Sequence, residues 1–76
     1  MTKAMSRDIA ERLAIKQRVI EITKDDFKEN QRLNPHYSEF HGMVEMLKMM
    51  GIEYDFEYNE KIEMVAVTVN GETVRI

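Results

Sequence analysis

From Ser6 onward, apolar and polar residues in the first third of the chain recur with the period of an α-helix. Two adjacent apolar stripes share one side of the helical wheel, Ile9, Leu13, Ile20 and Phe27 in the first and Ile15, Val19 and Ile22 in the second. A stripe of that combined width is typical of a helix that is buried against two neighbours. We predict a helix that begins at an N-cap on Ser6 and ends near Ile22. The pattern leaves open whether it continues to Leu33 or is followed by a short second piece.

Asn34-Pro35 marks the start of a second predicted helix. Asparagine is a favoured N-cap and proline a favoured first helical residue. The apolar face that follows consists of Tyr37, Phe40, Val44 and Leu47. We expect this helix to end near Met50, because Gly51 can adopt the left-handed conformation that terminates many helices. Gly42, inside the helix, is expected to permit a close crossing with the first helix.

After Gly51 the pattern changes to the two-residue period of a β-strand. Residues 52–58 alternate apolar with acidic side chains and residues 61–69 are rich in β-branched ones, so both segments are predicted strands. Asn70-Gly71 is typical of a two-residue hairpin turn, which makes residues 73–76 a third strand. This turn pairs Val69 with Glu72 and Val67 with Val74.

The parity of the strands then predicts the buried face of the sheet. An even loop, residues 59–60 or 59–62, places one set of side chains together: Ile52, Tyr54, Phe56, Val65, Val67, Val74 and Ile76. The predicted fold is therefore α+β, with two helices packed on one face of a three-stranded antiparallel meander in the order ααβββ. Residues 1–76 are expected to form a single domain, with a helical half at 1–50 and the β-meander at 51–76.

Composition and charge narrow the class of protein. The 76 residues include no cysteine, which excludes disulfides and thiolate chemistry. No apolar run has the length of a membrane span, and we expect a soluble cytoplasmic protein with no membrane partner. The net charge of −3 is uneven, because the first 24 residues are basic whereas residues 51–76 carry six carboxylates against Lys61 and Arg75. The sequence pI of about 5.3 argues against direct nucleic-acid binding by the whole domain.

No pattern typical of catalysis is present. His36 and His41 are five residues apart and point in directions that differ by about 140° on a helix, so they do not converge on one metal ion. No glycine-rich phosphate loop or activated nucleophile is visible. We therefore expect no enzyme activity, no metal and no cofactor.

Methionines and carboxylates are the candidate partner-binding residues. Met43, Met46 and Met50 lie on the flank of the second helix, whereas Met49 lies on its opposite side. Methionine is common at adaptable binding surfaces, although these side chains could equally complete the core or an interface between copies.

Carboxylates form the second candidate set. Glu53, Asp55 and Glu57 form a row with a spacing of about 7 Å along the first strand, and Glu60 and Glu63 extend it. Such a row can occupy a basic groove of a nucleic-acid-binding protein, or it can be a solvated outer face.

The segment from about residue 37, with MMGIEYDFEYNE and the terminal VNGETVRI, resembles short proteins of phages and conjugative elements in Gram-positive bacteria. Some of these inhibit host defence, and anti-CRISPR proteins are among them. The resemblance implies a small, non-catalytic inhibitor encoded by a mobile element. Combined with the carboxylate row, it predicts a chain that binds a larger protein and blocks its basic nucleic-acid-binding surface. The alternatives are a DNA-associated dimeric regulator that uses Arg7 and Arg18 of the first helix, and a homo-oligomeric structural protein.

Overall fold

The computed structural model describes residues 1–76 and has the predicted ααβββ order. Helix α1 spans Lys3–Thr23 and α2 spans Pro35–Met49, and two short 3₁₀ helices, Lys24–Phe27 and Gln31–Leu33, connect them. The strands are β1 (Tyr54–Tyr58), β2 (Met64–Val69) and β3 (Glu72–Arg75). They form an antiparallel sheet in the order β1-β2-β3, and α1 packs against α2, β2 and β3. The α+β fold class is confirmed.

Helix α1 begins earlier than predicted. Thr2 is the N-cap, and its hydroxyl accepts a hydrogen bond of 3.1 Å from the backbone N–H of Met5. The predicted N-cap, Ser6, is instead fully buried inside the helix. Its hydroxyl donates to the carbonyl of Thr2 at 2.9 Å and accepts from the Nδ2 of Asn70 at 3.2 Å. A serine tolerates a helix interior when its hydroxyl bonds the carbonyl one turn back, and here it also ties α1 to the β2–β3 turn.

The connection between the helices is organised around Asn34. Helix α1 ends at Thr23 and does not continue to Leu33. The Thr23 hydroxyl donates to the carbonyl of Val19 at 2.8 Å, so it does not cap a new helix. The fully buried Asn34 donates from Nδ2 to that same hydroxyl at 2.9 Å, and its Oδ1 accepts the N–H of His36 at 3.0 Å. One side chain thus caps α2, as predicted, and fastens it to the end of α1.

Helix α2 ends as the sequence predicts. Gly51 has a positive φ of 69°, and its N–H donates to the carbonyl of Lys48 while the N–H of Ile52 donates to that of Leu47. This pair of bonds is the Schellman arrangement. The prediction for Gly42 is wrong: it is exposed, and a Cβ built there meets no atom within 4 Å. No close helix crossing explains that glycine.

The sheet has the predicted register but reaches it by another loop. Val67 pairs with Val74, Val69 with Glu72 and Phe56 with Val67. The connection between β1 and β2 is residues 59–63, an odd number that by itself would reverse the faces. A β-bulge near Tyr58 adds the compensating residue, because each extra residue shifts the alternation by one. The predicted core face is restored except at Val65, because Met64 packs against the core in its place. The expected even loop was wrong.

The core lies between the helices and one face of the sheet. Its buried members are Ala10, Leu13, Ala14, Ile20, Phe40, Val44, Leu47, Val67 and Val69. The second apolar stripe of α1 was predicted to be buried too, and this is wrong. Ile15 is 62% exposed and Ile22 is 75% exposed, although β3 lies beside Ile15 across a groove.

Candidate binding surfaces

The face of the sheet that the helices leave uncovered carries the predicted carboxylate row. Glu53, Asp55 and Glu57 are all exposed, since they alternate with the core-facing residues of β1. Glu57 lies 3.9 Å from Arg75, and the register places Ala66 between them. That flanking pair accounts for the burial of Ala66, which belongs to the outer face yet is only 1% exposed. Glu53 has no such cationic neighbour.

The exposed carboxylate of Asp55 also accepts a backbone hydrogen bond at the edge of the sheet. The N–H of Asn70 donates to the carbonyl of Glu53, so Glu53 and Asp55 turn their backbone groups toward β2. Phe56 therefore turns its N–H out from the edge of the sheet. The Oδ1 of Asp55 accepts that N–H at 2.9 Å. The carboxylate thus occupies an edge donor that could otherwise pair with another strand.

Glu60 and Glu63 lie in the loop beyond β1 and are exposed. Asn59 organises this loop, because its Oδ1 accepts the N–H groups of Lys61 and Glu63 at 2.9 and 3.0 Å. Its Nδ2 also donates to the Glu63 carboxylate at 3.2 Å. Glu63 is thus held by the loop, whereas Glu60 has no hydrogen bond to its side chain. Both extend the acidic field beyond the end of the strand.

A shallow depression of about 410 Å³ lies at the other end of the row. It is lined by Ile52, Glu53, Tyr54, Asp55, Thr68 and Gly71. The hydroxyls of Thr68 and Thr73 lie 2.7 Å apart on this face. The depression is open and its lining mixes apolar and polar groups, which suits contact with a side chain of a partner rather than enclosure of a small ligand.

The methionines do not form the set that the sequence predicts. Met46 and Met50 are 61% and 66% exposed, but Met43 is half-buried and packs against the core. Met49, which the helical wheel set apart, is the most exposed at 86%. Met5 of α1 is also exposed, at 55%. A helical wheel drawn for α2 alone does not include this methionine of α1.

The remaining polar groups serve packing and surface ion pairs. His36 lies 3.3 Å from the Lys16 ammonium through Nδ1, and the His41 ring packs on Tyr37 at 4.4 Å. Lys16 also bonds Glu39 across the two helices, which lowers the pKa of the Glu39 carboxyl. No group of three histidine or carboxylate side chains is arranged to hold a metal ion.

The basic face of α1 is largely neutralised by neighbouring carboxylates. Arg7 pairs with Glu11 at 3.3 Å and Arg12 with Asp8 at 3.0 Å. Arg18 makes no ion pair within the chain. Exposed pairs of this kind contribute little to stability, but they reduce the positive potential that a DNA-binding helix needs.

Neither helix is both long and apolar enough to cross a membrane. Comparison with known proteins found no matching family model, no similar curated protein and no similar solved structure. The surfaces described above are therefore the basis for a functional proposal.

Proposed function

We propose that this chain is a non-catalytic protein-binding module of the bacterial cytoplasm. It is an inhibitor encoded by a mobile genetic element, and it occupies a basic nucleic-acid-binding surface of a host defence protein. The observation that carries the proposal is the uncovered outer face of the sheet, where Glu53, Asp55 and Glu57 stand in a row and only Glu57 has a cationic neighbour, Arg75 at 3.9 Å.

The spacing of the row supports a mimic of a nucleic-acid backbone. Alternate residues of one strand stand about 7 Å apart, close to the separation of successive phosphates along a strand of nucleic acid. A rigid sheet holds the charges in place, so little conformational entropy is lost when they meet a basic groove. Glu60 and Glu63 lengthen the acidic field beyond the end of β1.

The exposed methionines supply the apolar part of the proposed contact. Met46 and Met50 are flexible, polarisable side chains that can fit an irregular partner surface. Met43 is half-buried against the core and offers less of its surface to a partner. In this arrangement the carboxylates steer the encounter and the methionines slow dissociation.

The experiment measures inhibition of DNA binding by purified RNA-guided nucleases of Gram-positive bacteria in a gel-shift assay. The test variant is Glu53→Gln with Asp55→Asn and Glu57→Gln. The asparagine keeps an acceptor for the Phe56 N–H, so the fold is retained. The matched control neutralises three exposed carboxylates of the interhelical connection, Asp25→Asn, Asp26→Asn and Glu29→Gln.

The test variant should inhibit on the order of 100-fold more weakly than wild type, whereas the control should inhibit normally. The difference should shrink as salt is raised, because the contact is electrostatic. Inhibition that is equal in both variants refutes the acidic-face mechanism. A shift of DNA by the chain alone, lost on changing Arg7 and Arg18, would favour the DNA-associated alternative.

A further inference from the structure

Strand β3 is an open edge of the sheet. The N–H of Ile76 donates to the carbonyl of Val65 at 2.9 Å, which sets the alternation for the whole strand. Thr73 and Arg75 consequently turn their backbone N–H and C=O groups away from β2. These four groups form a short template for another strand. On the opposite edge of the sheet, the corresponding central N–H of Phe56 is already bonded by Asp55.

Helix α1 exposes an apolar stripe on the same side of the molecule. A groove of about 230 Å³ between α1 and β3 is lined by Glu11, Ala14, Ile15, Arg18, Val74 and Arg75. The 62% exposed Ile15 stands at its helical wall. Val19 and the exposed Ile22 continue the stripe at helical spacing. A strand added beside β3 would extend the sheet below this stripe, so one occupant can cover both features.

The charged residues beside the groove can pair with the same residues of a second copy of the chain. Glu11 and Arg18 are seven residues apart, two turns of helix, and therefore lie on nearly the same face of α1. If a second α1 runs antiparallel alongside, Glu11 of each copy faces Arg18 of the other. Arg18 has no ion-pair partner within its own chain. The midpoint between Glu11 and Arg18, where the two helices would cross the symmetry axis, lies between Ala14 and Ile15.

The same symmetry satisfies the strand edge. A twofold axis through Val74 pairs Thr73 of one copy with Arg75 of the other, twice, which uses all the outward backbone groups in four hydrogen bonds. Val74 and the helical midpoint line the same groove. A single axis therefore relates both the strands and the helices, as an isologous interface requires.

We propose that this face binds a second copy of the chain, and that the protein is a homodimer with a continuous six-stranded sheet. The two α1 helices pack antiparallel over the junction, with Ile15 of each copy beside the axis. Because β1 is at the far edge of each sheet, the acidic rows of the two copies remain free at opposite ends. The dimer does not depend on the function proposed above.

Sedimentation equilibrium of the wild-type chain, from low to high micromolar concentration, tests the proposal together with three kinds of variant. Ile15→Lys should weaken dimerisation on the order of 100-fold. Its matched control is Ile62→Lys, since Ile62 is also isoleucine, is 81% exposed and lies in the β1–β2 loop. The control should dimerise as wild type does. Thr73→Pro, which removes an outward N–H and no backbone hydrogen bond to β2, should also weaken the dimer, whereas Thr73→Val, which loses only the hydroxyl contact with Thr68, should not.

Charge exchange tests the axis itself. Glu11→Arg and Arg18→Glu should each weaken the dimer roughly tenfold, because each creates two like-charge contacts across the axis. The two substitutions together should restore affinity. Circular dichroism confirms that every variant is folded.

A wild-type chain that is monomeric at all concentrations overturns the proposal. So does a dimer that survives Ile15→Lys but is lost with Met46→Gln and Met50→Gln, since the methionines would then be the interface. Failure of the double charge exchange to rescue affinity overturns the twofold arrangement. Binding of a foreign strand-forming peptide in place of a second copy would appear as a monomer that gains a partner only when the peptide is added.

Discussion

The junction of the two helices depends on one buried amide, and replacing it should be unusually costly for so small a chain. In Asn34→Ala the N–H of His36 loses its cap, and the hydrogen bond from Nδ2 to the Thr23 hydroxyl is removed. Loss of an N-cap costs about 1 kcal/mol and loss of a buried hydrogen bond about 1 kcal/mol more. The expected loss in unfolding free energy is therefore about 2 kcal/mol, or roughly 8–16 °C in Tm for a domain of this length.

Asn34→Ala can be combined with a second variant, Thr23→Val, in a double-mutant cycle. Thr23→Val keeps the shape of the side chain but leaves the Nδ2 of Asn34 without an acceptor. This change should cost about 1–2 kcal/mol. Combined with Asn34→Ala it should cost less than the sum of the two, by about 1 kcal/mol, because the same hydrogen bond is counted in each single variant. Urea denaturation monitored by circular dichroism gives all three free energies.

Asn30→Ala is the matched control. Asn30 also accepts a backbone N–H two residues on, that of Arg32 at 3.0 Å, but it is exposed and begins only a short 3₁₀ helix. It should cost less than about 0.5 kcal/mol. The reasoning is refuted if Asn34→Ala costs no more than this control. It is also refuted if the Asn34 and Thr23 changes add within about 0.3 kcal/mol.

Three further predictions follow from single side chains. Gly42→Ala should raise unfolding free energy by about 0.5–1 kcal/mol, because the new Cβ meets no atom and helix propensity improves; urea denaturation measures it. The Lys16 bond lowers the pKa of Glu39, so its stabilisation is present above the carboxyl's ordinary pKa and is lost as acid lowers the pH through the depressed value. Glu39→Gln should reduce that acid dependence in pH-dependent unfolding curves. Asp55→Ala should free the Phe56 N–H and increase aggregation on heating in light scattering, whereas Asp55→Asn should not.

Local signals explain why the element order could be predicted. Gly51 and Asn70-Gly71 favour the left-handed conformation that few other residues adopt. Asn34-Pro35 combines a favoured N-cap with a favoured first helical residue. The start of α1 and the β1–β2 loop could not be predicted in the same way. Thr2 precedes residues that have no amphipathic period, and the bulge near Tyr58 has no sequence signature, although together with the odd loop it preserves the alternation that the core requires.

The candidate binding surfaces could be predicted from sequence periodicity less well than the fold. A helical wheel shows that Ile15, Val19 and Ile22 share a face, but it does not show what covers that face. In the structure β3 lies beside the stripe and is the last strand of the sheet. The apolar surface and an unpaired strand edge therefore meet at one groove. The exposure of Ile15 is therefore the feature that the monomer alone does not explain. A partner that completes the sheet would restore the second neighbour that the width of the stripe predicted.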